Sequence, residues 1–152
     1  MLDVIKEFQC PYRWLSNFWS CEVEYEGLKY PTVEHAYQAA KCSNPLDRQR
    51  ILHESKTPGD AKRLGRRVAI RSDWESVKQS VMLDLLRKKF KNPELRKMLV
   101  DTGNVRLEEG NRWGDEFWGV NLRTGKGKNW LGILLMKIRL ELREIENDKE
   151  IC

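Results

Sequence analysis

The chain has 152 residues, 40 % of them hydrophobic and 34 % charged, which supplies one sizeable core under a heavily charged surface and excludes a disordered chain. The longest apolar run, residues 133–136, is far too short to cross a membrane. A net charge of +5 and a pI close to 9.1 suit a phosphorylated ligand.

Asp3, Lys6 and Glu7 near the start do not read as a signal peptide, so a cytoplasmic location with no membrane partner is expected. Cys10, Cys21, Cys42 and Cys152 form no Cys-x-x-Cys pair, and the histidines are His35 and His53. No metal site is expected, and the thiols read as reduced and mostly buried.

In chain order, residues 2–8 suit a short first strand. Residues 10–19 have neither a helical nor a strand period. Ser16 and Asn17 set between large apolar groups mark this stretch as a half-buried loop. Cys21, Val23 and Tyr25 alternate with Glu22, Glu24 and Glu26, Gly27 supplies a turn, and Leu28-Lys29-Tyr30 returns as the second arm of a hairpin. Thr32 then caps a helix whose stripe Val33, Ala36, Tyr37 and Ala40 faces a core. Asn44-Pro45, Thr57-Pro58 and Asn92-Pro93 are further helix starts, each a capping side chain followed by a proline at the first helical position. They open helices over residues 46–55, up to Gly65, and over 94–100, the last stopping before Gly103. Residues 68–71 read as extended, and Ser72 or Asp73 as the cap of the longest mid-chain helix. Its stripe is Trp74, Val77, Val81 and Leu85, joined by Met82, Leu86 and Phe90. Residues 105–130 are glycine-rich and loop-like, a length that a domain carries mainly for function. Asn129 caps a final helix with Leu131, Leu134, Leu135, Ile138, Leu142 and Ile145 as its buried stripe. With no repeat and no linker, the expected architecture is mainly α (α+β): a single multihelical domain over 1–152 with a small N-terminal β-hairpin.

On the first helix Glu34, Gln38 and Lys41 fall at i, i+4 and i+7. A carboxylate, an amide and an ammonium therefore share a face near the positive end of the helix dipole. The same spacing describes a solvated face with a Glu-to-Lys pairing. Gly125-Lys126-Gly127-Lys128-Asn129 opens a helix and offers amides and two ammonium groups to a phosphate; lacking P-loop spacing, it also describes a surface turn. Asp115-Glu116-Phe117-Trp118-Gly119 sets an acid three residues ahead of a tryptophan, either a carboxylate beside a stacking platform or a cap beside a core residue. Asn17 suits a sugar hydroxyl or base edge, or the backbone of its own loop. Carboxylates near amides and cations fit glycosidic cleavage, in which a carboxylate stabilises an oxocarbenium-like state or activates water. His53 reads as a surface residue, and His35, adjacent to Glu34, points about 100° away from it.

Leu15-Ser16-Asn17-Phe18, residues 32–41, Gly65-Arg66, Trp74-Glu75-Ser76-Val77, residues 115–119 and residues 125–136 resemble, in the same order and over nearly the whole chain, the YbiA-like or NADAR family. That resemblance implies a single, mainly helical domain with a few short strands and N-glycosidase activity without a cofactor. Members resemble hydrolases of the bond joining ribose phosphate to a pyrimidine intermediate of riboflavin synthesis, and some remove ADP-ribose from modified guanine. Carried over by motif, Glu34 is the catalytic carboxylate, as base or charge stabiliser, and Asn17 orients ribose or base. Lys41 and Arg66 hold phosphate or charge near the sugar, Asp115 and Trp118 line the base side, and Lys126, Lys128 and Asn129 meet phosphate. Arg13 stands where members commonly have a small residue, an extra cation that would favour a more anionic ligand such as ADP-ribose. The implied partner is a small phosphorylated ribosyl substrate, free or as ADP-ribosylated DNA or RNA. A non-catalytic module binding nucleotide or ADP-ribose would use the same groups.

Overall fold

The computed structural model describes residues 2–151 and is mainly α-helical with small two-stranded sheets. In chain order its elements are β1 (Val4–Ile5), a 3-10 turn (Arg13–Leu15), β2 (Val23–Tyr25), β3 (Leu28–Tyr30), α1 (Val33–Lys41), α2 (Pro45–Glu54), α3 (Pro58–Leu64), α4 (Trp74–Lys89), α5 (Pro93–Asp101), β4 (Arg106–Leu107), β5 (Gly110–Asn111), β6 (Val120–Asn121) and α6 (Trp130–Ile151). They fall into two compact units, residues 17–89 and residues 2–16 with 90–151.

In the unit of residues 17–89, β2 and β3 form the expected hairpin, with Val23 opposite Tyr30. Glu26 and Gly27 both take positive φ, 49° and 83°, the mirrored turn whose twist matches that of paired strands. The chain then enters α1, where the Thr32 hydroxyl oxygen accepts the His35 amide at 3.1 Å and so satisfies one orphan donor of the first turn. α1 packs against α2, α3, α4 and both strands of the hairpin. Burial therefore covers its expected stripe and also reaches Glu34, His35, Gln38 and Ala39.

Asn44 caps α2 through the Asp47 amide at 2.9 Å. Thr57 and Asp60 form a reciprocal capping box on α3. α4 starts directly after Asp73, as expected, but through the backbone of that residue and not its side chain. The Asp73 carboxylate pairs with Arg71 at 2.6 and 2.9 Å, and it is the Asp73 carbonyl that accepts the Ser76 and Val77 amides. Trp74, Met82, Leu85 and Leu86 are buried on this helix, whereas Val77 and Val81 are half-buried. Of residues 68–71, one forms a bridge, Ile70 with Cys42.

In the other unit, β1 pairs with β4 and β5 with β6, both in parallel, so residues 105–130 hold short strands as well as loop. Asn92 Oδ1 accepts the Glu94 and Leu95 amides and caps α5. α6 packs on α5 and β4 through Leu131, Leu134, Leu135 and Ile138. Its buried Arg139 donates to Thr102 Oγ1 and to the Val105 carbonyl. The expected stripe stops early: Leu142 is half-buried and Ile145 is 49 % exposed.

The thiols differ from expectation too, with Cys10 exposed, Cys21 half-buried and Cys42 buried; Cys152 lies outside the described residues. Among the described residues no helix is long and apolar enough to cross a membrane.

Candidate active site

Glu34 sits in the first turn of α1 and is 8 % exposed. A carboxylate this buried needs hydrogen-bond partners, and Gln38, one helical turn later, supplies one: its Nε2 donates to Glu34 Oε1 at 2.8 Å. The Glu34 amide donates to the Asn17 carbonyl at 3.1 Å. The loop bearing Asn17 is thereby fixed to the start of α1. Asn17 is 7 % exposed; its Nδ2 approaches the thioether of Met82 at 3.6 Å, and its buried Oδ1 has no hydrogen-bond partner among the described residues.

Lys41 closes the same helix and is half-buried. Burial pulls its ammonium below the ordinary lysine range; Cys42 and Glu34 work against that shift and Arg66 reinforces it. Lys41 thus feels both the Glu34 carboxylate and Arg66, the latter exposed in the turn that follows α3. Gly65, the other half of the Gly-Arg pair, is buried in ordinary helical conformation, φ −59°. A Cβ there would lie 1.9 Å from Gln38 Oε1 and 2.7 Å from its Cδ.

His35 is fully buried and belongs to the frame of this site. Its Nε2 lies 3.1 Å from the Ser55 carbonyl and its Nδ1 2.8 Å from Thr32 Oγ1. A carbonyl only accepts, which assigns the proton to Nε2 and leaves Nδ1 to accept from the Thr32 hydroxyl. Burial holds the imidazole below its ordinary pKa, opposed by the Ser55 bond and by Asp60. Between α1 and α4, the Tyr37 and Trp74 rings pack at 5.1 Å.

The remaining candidates lie in the other unit. Arg13 is exposed on the 3-10 turn. Asp115 Oδ1 accepts the Phe117 and Trp118 amides at 3.0 and 2.9 Å, so this carboxylate builds the turn that presents the half-buried Trp118. Phe117 meets Trp118 edge-on at 4.8 Å, and Lys128 Nζ lies 5.7 Å from the Phe117 ring centre. Lys126 and Lys128 are exposed, with Gly125 and Gly127 at positive φ around them. Asn129 is 1 % exposed; its Oδ1 accepts the Glu109 amide at 3.0 Å and its Nδ2 donates to the Leu107 carbonyl at 2.9 Å. It stands at the start of α6 with φ 55°, yet it ties down the β4–β5 connection instead of capping the helix through its side chain.

Sequence reading passed over Asn111, the hub of the acidic loop. Its Oδ1 accepts the Gly114 and Asp115 amides, and its Nδ2 donates to the Asp115 carbonyl. Gly110-Asn111 carries no signal beyond that of a turn. Among the described residues no group of three or more metal-ligating side chains is present.

The NADAR domain model matches residues 5–143, a stretch drawn from both units. N-glycosidase YbiA of Escherichia coli is 41 % identical over 130 residues, 84 % of this chain and 79 % of that protein. An N-glycosidase of Nostoc punctiforme is 36 % identical over 140 residues, covering 89 % and 88 % of the two chains. A riboflavin biosynthesis protein of Vibrio vulnificus is 35 % identical over 133 residues, 86 % of this chain and 35 % of that longer one. The NMR structure of E. coli YbiA superposes with a TM-score of 0.83 at 38 % identity, covering 96 % of this chain and 89 % of that one.

Proposed function

This chain belongs to the NADAR family and is a hydrolase of N-glycosyl bonds; we propose that its substrate is a small phosphorylated ribosyl compound and that Glu34 is the catalytic carboxylate. The observation that carries the assignment is the burial of Glu34 with a donated amide on one side and the Lys41 ammonium in its electrostatic neighbourhood. Such a carboxylate is held in place to meet positive charge developing at the anomeric carbon or to draw a proton from water. Lys41 and Arg66 answer the negative charge of the substrate, and Asn17, with a buried acceptor oxygen unused by the described residues, orients a ribose hydroxyl or base edge.

In the second unit, Trp118 offers a stacking face to the base on the turn that Asp115 builds. Lys126 and Lys128 meet phosphate, and Asn129 supports them by fixing the end of their loop. Arg13 adds a further cation for a more anionic ligand. We take the whole chain as one functional domain. The riboflavin biosynthesis relative favours a ribosylaminouracil phosphate, an intermediate of that pathway, over ADP-ribosyl-guanine.

Mass spectrometry of products decides the matter, with the protein offered both substrates and Glu34→Gln as control. Free base and ribose phosphate from the riboflavin intermediate, absent with Glu34→Gln, are expected. Release of guanine from the ADP-ribosyl substrate alone would move the assignment to that class. Turnover of neither would overturn the proposal.

A further inference from the structure

The amide of Gln38 can be oriented from its neighbours. With Nε2 toward Glu34 the contact at 2.8 Å is a hydrogen bond; reversed, two acceptor oxygens would face one another at that distance. Nε2 therefore donates, and Oε1 points away from Glu34. It points at Gly65, is buried, and has no hydrogen-bond partner among the described residues. Buried orphan acceptors are rare and ask for an explanation.

The explanation lies in position 65. Gly65 adopts φ −59° and ψ −19°, a conformation open to every residue, so the backbone does not require glycine. Space does: an added Cβ would stand 1.9 Å from Gln38 Oε1 and 2.7 Å from Cδ, with the nearest backbone atom, the Ala61 carbonyl, at 3.2 Å. The obstacle is the far end of a flexible side chain. A methyl group at 65 would displace Gln38 and leave the α3 terminus intact.

We propose that Gln38 is a positioning residue, fixing the Glu34 carboxylate in one orientation, and that residue 65 is glycine because only then can Gln38 reach it. This rests on the reading of Glu34 as the catalytic carboxylate and adds two residues that act through it. An amide N–H bonds an ionised carboxylate more strongly than a neutral carboxyl, so the contact favours the form of Glu34 that serves as base or charge stabiliser.

The test compares kcat, KM and the pH profile of kcat for wild type, Gln38→Met, Gly65→Ala, Gln38→Ala and Gly65→Ala/Gln38→Ala on the riboflavin intermediate, with Glu34→Gln as reference. Gln38→Met and Gly65→Ala are each expected to lower kcat about ten- to hundredfold, the scale of one hydrogen bond to a charged group. KM should stay nearly constant, the acid limb of the profile should move to higher pH, and thermal stability should be retained. In the Gln38→Ala background Gly65→Ala should add nothing, because there is no side chain left to displace. Undiminished kcat and an unmoved profile in Gln38→Met, or full additivity in the double variant, overturn the proposal. If Gly65→Ala does not fold, backbone and not Gln38 meets the clash; the account of Gly65 is then overturned and Gln38→Met decides the rest. Wild-type turnover in Gln38→Met together with loss in Glu34→Gln sinks the positioning role alone, whereas turnover retained in Glu34→Gln removes the reading beneath it.

Discussion

The carbonyl of Asn17 accepts the amide of Glu34 at 3.1 Å, main chain to main chain, so substitution of either side chain leaves that bond in place. The Asn17 side chain has little to hold it in the protein: a 3.6 Å approach to the Met82 sulfur and a buried oxygen without a partner among the described residues. A buried acceptor left unpaired costs about 1–3 kcal/mol. Asn17→Ala is therefore expected to leave the melting temperature unchanged or higher while kcat/KM falls about ten- to hundredfold, the loss of one bond to substrate. A large fall in melting temperature with kcat/KM intact would place Asn17 in the scaffold instead. Calorimetry and steady-state kinetics on the same preparations separate the two.

His35 makes the same frame sensitive to acid. Its folded-state pKa lies below the ordinary value of 6.5 because the ring is buried. The unfolded chain then binds the proton more readily, so stability is lost as pH falls below about 6.5, with a slope of at most about 1.4 kcal/mol per pH unit for one group. Wild type should lose melting temperature between pH 6.5 and 5, and His35→Gln should flatten that slope. An identical slope in both proteins would assign the acid sensitivity to other groups.

Much of the fold was legible because its signals are local. The Glu26-Gly27 turn needs only two residues at positive φ, and Asn44, Thr57 and Asn92 each cap a helix directly ahead of a proline. What escaped depends on partners distant in sequence. A strand within residues 2–8 is expected, but its partner β4 is not: β4 is two residues long, too short to impose a period of two, and pairs residue 106 with residue 4. By helical periodicity the Glu34, Gln38 and Lys41 face reads as solvated, yet Glu34 and Gln38 are buried because α2, α3, α4 and the hairpin surround α1. Gly65 looks like a helix stop, and its reason appears only once Gln38 is seen against it.

Lys89 ends α4 with its side chain fully buried. Desolvation brings its pKa down to about 7, with Cys21 opposing. In the unfolded chain the ammonium titrates near 10.4. Burial of the charge therefore lowers stability fully below about pH 7, and the penalty fades as pH rises toward 10.4. Lys89→Met, of similar length and without charge, should raise stability at pH 7 by about 1–4 kcal/mol, the range seen when buried charges give way to apolar groups. That gain should shrink at pH 9 to 10. Denaturant melts at the two pH values check it, and a constant difference would show that charge is not its source.

The basic loop before α6 separates residues that meet ligand from residues that hold the fold. Lys126 and Lys128 are exposed, and removing one exposed ammonium leaves stability within about 0.5 kcal/mol. Lys126→Ala and Lys128→Ala should each raise KM for a phosphorylated substrate about three- to tenfold, the scale of one screened charge contact, with an effect that diminishes as salt is added. Asn129 behaves in the opposite way. Its amide makes two buried bonds, to the Glu109 amide and the Leu107 carbonyl, from a left-handed conformation that alanine disfavours. Asn129→Ala should lower stability by about 2–4 kcal/mol, with activity falling only as far as the folded fraction does. If Asn129→Ala instead keeps its melting temperature and loses affinity for phosphate, the residue contacts ligand directly and the division of labour in this loop is wrong.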